Sequence, residues 1–100
     1  MARERVYISV TYGSIDDAHL LNAVYVAMAK LKKLRIEPIL MQVYMPGSKP
    51  RVSVNGVEVS VRADLADAIV SIALETLAQE SFVRNKHYIE GRLAAAKQYG

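Results

Sequence analysis

The sequence predicts an α+β fold: a two-layer α/β sandwich with the element order β-α-β-β-β-α, followed by a C-terminal helix. One supporting observation is that apolar residues alternate with a period of two at 6–11, 51–54 and 57–62, as in half-buried strands. A second is that helical periodicity appears after the first and last of these segments. A third is the clean apolar/polar alternation of the last two strands, which indicates that one sheet face packs on helices and the other is open.

Length and composition favour one compact domain. The chain has 100 residues, of which 52% are hydrophobic and 23% charged, so it carries enough apolar material for a core. We expect an α/β sandwich domain over residues 1–78 and a C-terminal helical extension over 79–100. The longest apolar runs are too short to span a bilayer, and the N-terminus lacks the pattern of a signal peptide. We therefore expect a cytoplasmic protein with no membrane partner.

The residue inventory excludes several kinds of chemistry. The chain has no cysteine, so disulfides, thiol nucleophiles and thiolate metal sites are impossible. Its two histidines, His19 and His87, do not stand at metal-ligand spacing, and no glycine-rich phosphate loop is present. We predict no catalytic residue, no metal site and no cofactor. The net charge of +3 leans mildly towards anionic partners.

The first strand, 6–11, leads into a capped helix. "YGS" ends the alternation, and Ser14 and Asp17 stand at capping-box spacing. Ser14, the acids after it and His19 could also be imagined as a nucleophile with acid–base partners, but capping is the favoured interpretation. We expect a helix over about 15–34 with a cluster of positive charge in its last turn. Its predicted core stripe comprises Leu20, Val24, Met28, Leu31 and Leu34, and the basic cluster comprises Lys30, Lys32, Lys33 and Arg35.

The second strand, about 38–45, begins with Pro38, which cannot donate to a central ladder and so favours the start or the edge of a sheet. Its odd positions share one face, and Leu40, Gln42 and Tyr44 share the other. We assign Gln42 and Tyr44 to the open face.

The third strand, about 51–54, and the fourth, about 57–62, form the clearest hairpin. Asn55-Gly56 between them is the strongest short hairpin signal, and it pairs Val54 with Val57 and Val52 with Val59. Asp64 caps a second helix that runs to about Leu77 or Ala78. Its core stripe comprises Leu65, Ile69, Ile72 and Leu77, and a third helical stretch follows at about 80–98.

Residues 6–77 resemble a thioredoxin- or glutaredoxin-like domain that lacks its cysteines. The segment "PRVSVNGVEV" is similar to the proline-plus-hairpin segment of that family. The resemblance implies that Pro50 corresponds to the family's cis-proline and that Ser14 and Asp17 replace its two active cysteines. Without a thiol, disulfide exchange is impossible. The family places a helix between its second and third strands. The short link here favours a meander, in which those strands are neighbours, although the thioredoxin-like strand order would bury the same valine face.

The open face is a candidate binding surface. Aromatic rings between arginines on an open sheet are typical of single-stranded RNA platforms, and a lysine cluster could add phosphate contacts. An ordinary solvated face, or one covered by a partner subunit, is the alternative. The candidate binding residues are Tyr7, Tyr44, Arg51, Arg62, Lys30 and Lys33.

The C-terminal segment is amphipathic and follows the domain that we expect to end at residue 78. A helix with Phe82, Ile89 and Leu93 on one side must cover an apolar surface, either on its own chain or across the two-fold axis of a dimer. We therefore predict a small, non-enzymatic interaction protein that self-associates as a homodimer. The alternative is a nucleic-acid-binding module that uses the open face.

Overall fold

The computed structural model describes residues 4–80 and confirms the predicted α+β two-layer fold. Its strands are β1 (Arg5–Tyr12), β2 (Glu37–Tyr44), β3 (Arg51–Val54) and β4 (Val57–Val59). A 3-10 turn, Ile15–Ala18, precedes helix α1 (His19–Lys33), and a second helix, α2, occupies residues 65–80. Helix α2 therefore continues past its expected end at residue 77 or 78. The predicted third helix and nearly all of the predicted C-terminal extension lie outside the described residues.

The four strands form one mixed sheet in the order β2-β1-β3-β4. β1 is parallel to β2 and antiparallel to β3, and β3 is antiparallel to β4. The chain thus leaves β2, passes the end of β1 and pairs on the other side of that strand. The meander favoured by the short link is wrong.

A glycine allows this short crossing. Residues 45–50 run across the C-terminal end of β1, where the Met45 N–H donates to the Tyr12 carbonyl (2.9 Å) and the Gly47 N–H to the Gly13 carbonyl (3.2 Å). The main chain of Ser48 lies directly against Gly13, where a side chain would have no room. Because the link follows the end of β1 so closely, it needs no helix to reach β3.

The core lies between the two helices and one face of the sheet. The predicted pairing of Val54 with Val57 and of Val52 with Val59 is confirmed. The buried core side chains are Val6, Ile8, Val10, Leu20, Val24, Ala27, Leu31, Ile36, Val52, Val54, Val59, Leu65, Ile69 and Ala73. Helix α1 presents Leu20, Val24 and Leu31 as predicted, and α2 presents Leu65 and Ile69. Met28, Ile72 and Leu77 are partly buried against this core.

Leu34 was predicted in the core stripe but is 52% exposed. The chain turns at the end of α1, where Arg35 adopts a left-handed conformation (φ 61°). The Ile36 N–H then donates to the Leu31 carbonyl (3.0 Å), and the Arg35 N–H to the Lys32 carbonyl (3.0 Å). This is a Schellman ending, in which Ile36 rather than Leu34 packs back onto the helix.

β4 ends at Val59, three residues before the predicted end at 62. Continuing the β3–β4 register would place Ser60 opposite Arg51 and Val61 opposite Pro50. Pro50 has no N–H to donate to such a ladder. Ser60 and Arg62 therefore lie in the link to α2, not on the sheet as predicted.

Candidate interaction surface on the open sheet face

Both helices pack on the same side of the sheet, which leaves the other side as the open face in the described part of the chain. The register assigns Tyr7, Ser9 and Thr11 of β1 to it. Met41 lies opposite Ser9, and Ser53 lies opposite Ser9 on the other flank. Together with their same-face neighbours, the residues of the open face are Arg5, Tyr7, Ser9, Thr11, Glu37, Ile39, Met41, Val43, Arg51, Ser53 and Glu58.

The prediction placed Gln42 and Tyr44 on the open face, and this is wrong. Tyr44 lies opposite Tyr12, and Gln42 lies opposite Val10, so both belong to the face that carries the helices. The rings of Tyr12 and Tyr44 are 5.7 Å apart, and the Tyr12 hydroxyl lies 3.4 Å from Oε1 of Gln42. Both faces of β2 carry apolar side chains, so alternation alone did not show which one turns towards the helices.

The open face has an apolar half at the β2 edge, which we call the apolar stripe. It consists of Tyr7, Ile39, Met41 and Val43. Tyr7 is 55% exposed and Met41 is 63% exposed, whereas Ile39 and Val43 are half-buried. No charged residue occurs between Glu37 and Lys49. The stripe is therefore an uncharged, partly exposed surface along an edge strand.

The other half of the open face is polar, and we call it the polar half. Its centre is Arg51, an exposed residue on β3. Arg51 lines one cleft together with Thr11, Ser48 and Lys49, and a second depression with Ser9, Ser53 and Glu58. Two cations beside several hydroxyl groups can bind an anion such as a phosphate.

The predicted binding residues are not all brought together. Tyr7 and Arg51 share the open face, but Tyr44 is on the helix side and Arg62 is in the link before α2. Lys30 lies on α1, where its Nζ contacts the Asp67 carboxylate of α2 at 2.7 Å.

Lys33 lies in the last turn of α1, and that helix packs on the opposite face. The predicted lysine cluster is therefore not part of the same surface as Arg51.

The Ser14 region forms a cap, as predicted. The Ser14 hydroxyl accepts from the Asp16 N–H (3.2 Å), and the Asp17 carboxylate accepts from the N–H groups of Gly13 (3.1 Å) and Ser14 (3.2 Å). His19 Nδ1 lies 2.6 Å from the Asp16 carbonyl oxygen. These contacts form a capping box, so the polar groups of the turn stabilise the start of the helix.

The cis-proline that the resemblance implied does not occur. Peptide bonds within residues 4–80 are all trans, including that of Pro50. Among these residues no group of three histidines or carboxylates is close enough to hold a metal ion. Within the same range no helix has the length and apolar character needed to cross a membrane. The cytoplasmic location stays a prediction, and His87, Phe82, Ile89 and Leu93 lie outside the described residues.

Comparisons with protein-family models, with curated proteins and with solved structures give no match. The structure itself establishes a small α/β domain with a mixed four-stranded sheet. Since the chain has no cysteine, thiol–disulfide chemistry is excluded.

Sequence reasoning missed Ile39, Met41 and Val43 as members of the open face, and Lys49 as a neighbour of Arg51. The proline at the start of the strand and the uncharged run that follows it indicated an edge strand, but no sequence signal showed which of its faces is open.

Proposed function

We propose that this protein is a small, non-enzymatic interaction protein that works as a homo-oligomer, and that the apolar stripe is the surface through which it self-associates. The observation that carries the proposal is the position of Met41. It is 63% exposed in the middle of an edge strand that has no charged residue within it after Glu37. In natural proteins, edge strands are usually very short or carry charged side chains, because an exposed edge can pair with a strand of another chain.

Association gains free energy at this surface. Met41, Tyr7 and their half-buried neighbours expose apolar area on adjacent strands. Burying a methionine-sized side chain fully stabilises by about 1.5–3 kcal/mol, and a symmetric dimer buries each side chain twice. The stripe therefore supplies a favourable centre for an interface, although a stable dimer also needs surface around it.

The mass of the whole chain in solution, measured by light scattering over a range of concentrations, tests this proposal. We expect an oligomer whose mass falls to that of the monomer in Met41→Lys, since association would then bury a charged lysine in an apolar interface. Leu74→Lys is the matched control, because Leu74 is an exposed apolar residue (43%) on α2. A monomeric parent chain would contradict the proposal, as would a Met41→Lys variant that keeps the parent mass.

The polar half of the open face supports a second candidate function, the binding of single-stranded nucleic acid. Arg51 and Lys49 line one cleft with two hydroxyl side chains, and Tyr7 stands on the same face as a stacking surface. Glu58 lines a depression together with Arg51 and limits the positive potential of this half of the face. Titration with labelled single-stranded oligonucleotides tests this candidate, and binding that does not weaken with salt would contradict it.

A relationship to the thioredoxin-like family is a proposal about the fold only. The strand order supports it, because β3 pairs with β1 on the side opposite β2. The trans peptide bond of Pro50 and the short link 45–50 depart from the family pattern. The relationship implies no thiol–disulfide activity, since the chain has no cysteine.

A further inference from the structure

The main-chain hydrogen-bonding groups of β2 indicate how two copies would pair in the proposed self-association. The Glu37 N–H donates to the Glu4 carbonyl (2.8 Å), and the Met45 N–H donates to the Tyr12 carbonyl (2.9 Å). The odd positions of the strand therefore point their main-chain groups towards β1. Because these groups alternate along a strand, the even positions point them away from the sheet. Those outward positions are Pro38, Leu40, Gln42 and Tyr44.

The two edges of the sheet differ in how they are protected. β4, at one edge, has three residues and carries Glu58 at its centre. β2, at the other edge, has eight residues, and its charge is confined to Glu37 at the start. Pro38 removes one outward N–H but leaves those of Leu40, Gln42 and Tyr44. Within the described residues, β2 is thus the edge strand with enough length, outward hydrogen-bonding groups and uncharged side chains to pair with another strand.

We propose that β2 pairs antiparallel with β2 of a second copy, around a two-fold axis that passes beside Met41, so that the two sheets join into one. This inference rests on the proposed self-association and specifies its geometry. A second copy is the occupant that the strand itself selects. When two copies of β2 lie antiparallel, the outward N–H groups of each strand face the outward carbonyl groups of the other. Neither strand carries a charged side chain after Glu37, so the pairing brings no like charges together.

The register follows from the outward groups. When Met41 is centred, Leu40 and Gln42 of the two copies exchange both main-chain hydrogen bonds. The Tyr44 N–H then meets the carbonyl of Pro38, which is the group that proline retains. In this register the Tyr44 carbonyl faces the proline nitrogen, which has no hydrogen to donate. Centring on Leu40 would leave the Gln42 carbonyl facing that nitrogen instead, and would also leave the Tyr44 N–H beyond the end of the partner strand. Centring on Gln42 would shorten the paired segment.

This register also places the apolar stripe at the joint. On the open face, Met41 lies against Met41 of the second copy, and Ile39 lies against Val43. The helices of both copies lie on the same side of the joined sheet, because a two-fold axis perpendicular to a sheet preserves its faces. The stripes of the two copies become one continuous apolar band.

Single cysteines in the otherwise cysteine-free chain test this geometry. A central non-hydrogen-bonded antiparallel pair has Cα atoms about 4.5 Å apart, within the range that a disulfide spans. We expect Met41→Cys to form a covalent dimer under mild oxidation, seen on a non-reducing gel. Ile39→Cys, on the same strand and face, should stay uncrosslinked, because the two Ile39 positions would lie about 14 Å apart at roughly 3.4 Å per residue.

Two further variants complete the test. Tyr25→Cys, at a similarly exposed position (51%) on α1, controls for chance collision. The double variant Ile39→Cys with Val43→Cys should crosslink, because these residues face each other across the axis. Crosslinking of Met41→Cys no faster than that of Tyr25→Cys, in a chain that light scattering shows to be dimeric, would overturn the strand pairing while self-association stands. A monomeric parent chain would overturn both.

Discussion

The main chain of Ser48 lies against Gly13 so closely that a Cβ at Gly13 would come within 2.6 Å of the Ser48 nitrogen and 2.8 Å of its carbonyl carbon. Real Cβ contacts do not come so near to main-chain atoms. This contact is where the link 45–50 crosses the end of β1. The link therefore crosses at this distance because position 13 has no side chain.

We predict that Gly13→Ala lowers the free energy of unfolding by at least about 2 kcal/mol, since overpacking against main chain forces a backbone shift. Denaturant unfolding followed by circular dichroism measures this change. Ser48→Ala is the control, and it should change stability by less than about 0.5 kcal/mol because the contact involves the Ser48 main chain. If Gly13→Ala were as mild as Ser48→Ala, the link would not cross at Gly13.

Asn55 does more than supply the hairpin turn that its sequence predicted. Its φ of 50° and that of Gly56, 83°, are those the tight turn requires. In addition, its side-chain oxygen accepts from the Tyr7 N–H (2.9 Å), and its amide nitrogen donates to the Thr76 hydroxyl (2.9 Å). Asn55 thus connects β1 to α2.

We predict that Asn55→Gly destabilises the fold by about 1–3 kcal/mol, although glycine keeps the turn, because the hydrogen bonds to the Tyr7 N–H and the Thr76 hydroxyl are both lost. Thr76→Val removes one of these hydrogen bonds and should cost about 0.5–1.5 kcal/mol. In the double variant the costs should not add, since both changes remove the same bond. Thermal or denaturant unfolding gives all three values, and fully additive costs would argue against the Asn55–Thr76 bond.

For the second candidate function, we predict that Arg51→Ala weakens oligonucleotide binding and lowers the slope of log affinity against log salt by about one. Tyr7→Ala should weaken binding without changing that slope, because a stacked ring contributes no charge. Fluorescence anisotropy at several salt concentrations separates the two effects.

Tyr44→Ala is the matched control for this titration, because Tyr44 is similarly exposed (53%) but lies on the helix side of the sheet. Equal losses from Tyr44→Ala and Tyr7→Ala would exclude the open face as the binding surface.

The local elements of this protein were determined by its sequence. The capping box of Ser14 and Asp17, the turn at Asn55 and the facing valines of the hairpin all lie within a few residues of their partners. Local conformational preference and a period of two are enough to specify such features. The same is true of the buried stripe of α2, and of the buried stripe of α1 as far as Leu31, before Arg35 turns the chain.

Only the tertiary structure decided which strand lies beside which and which side of β2 turns outward. Both faces of β2 are apolar, so neither alternation nor hydrophobicity could choose between them, and the choice came from pairing with β1 far away in the chain. The crossing at Gly13 is likewise a contact between segments that are distant in the chain, and no local sequence pattern predicts it. The apolar stripe, on which the proposed function rests, exists because of those two long-range choices.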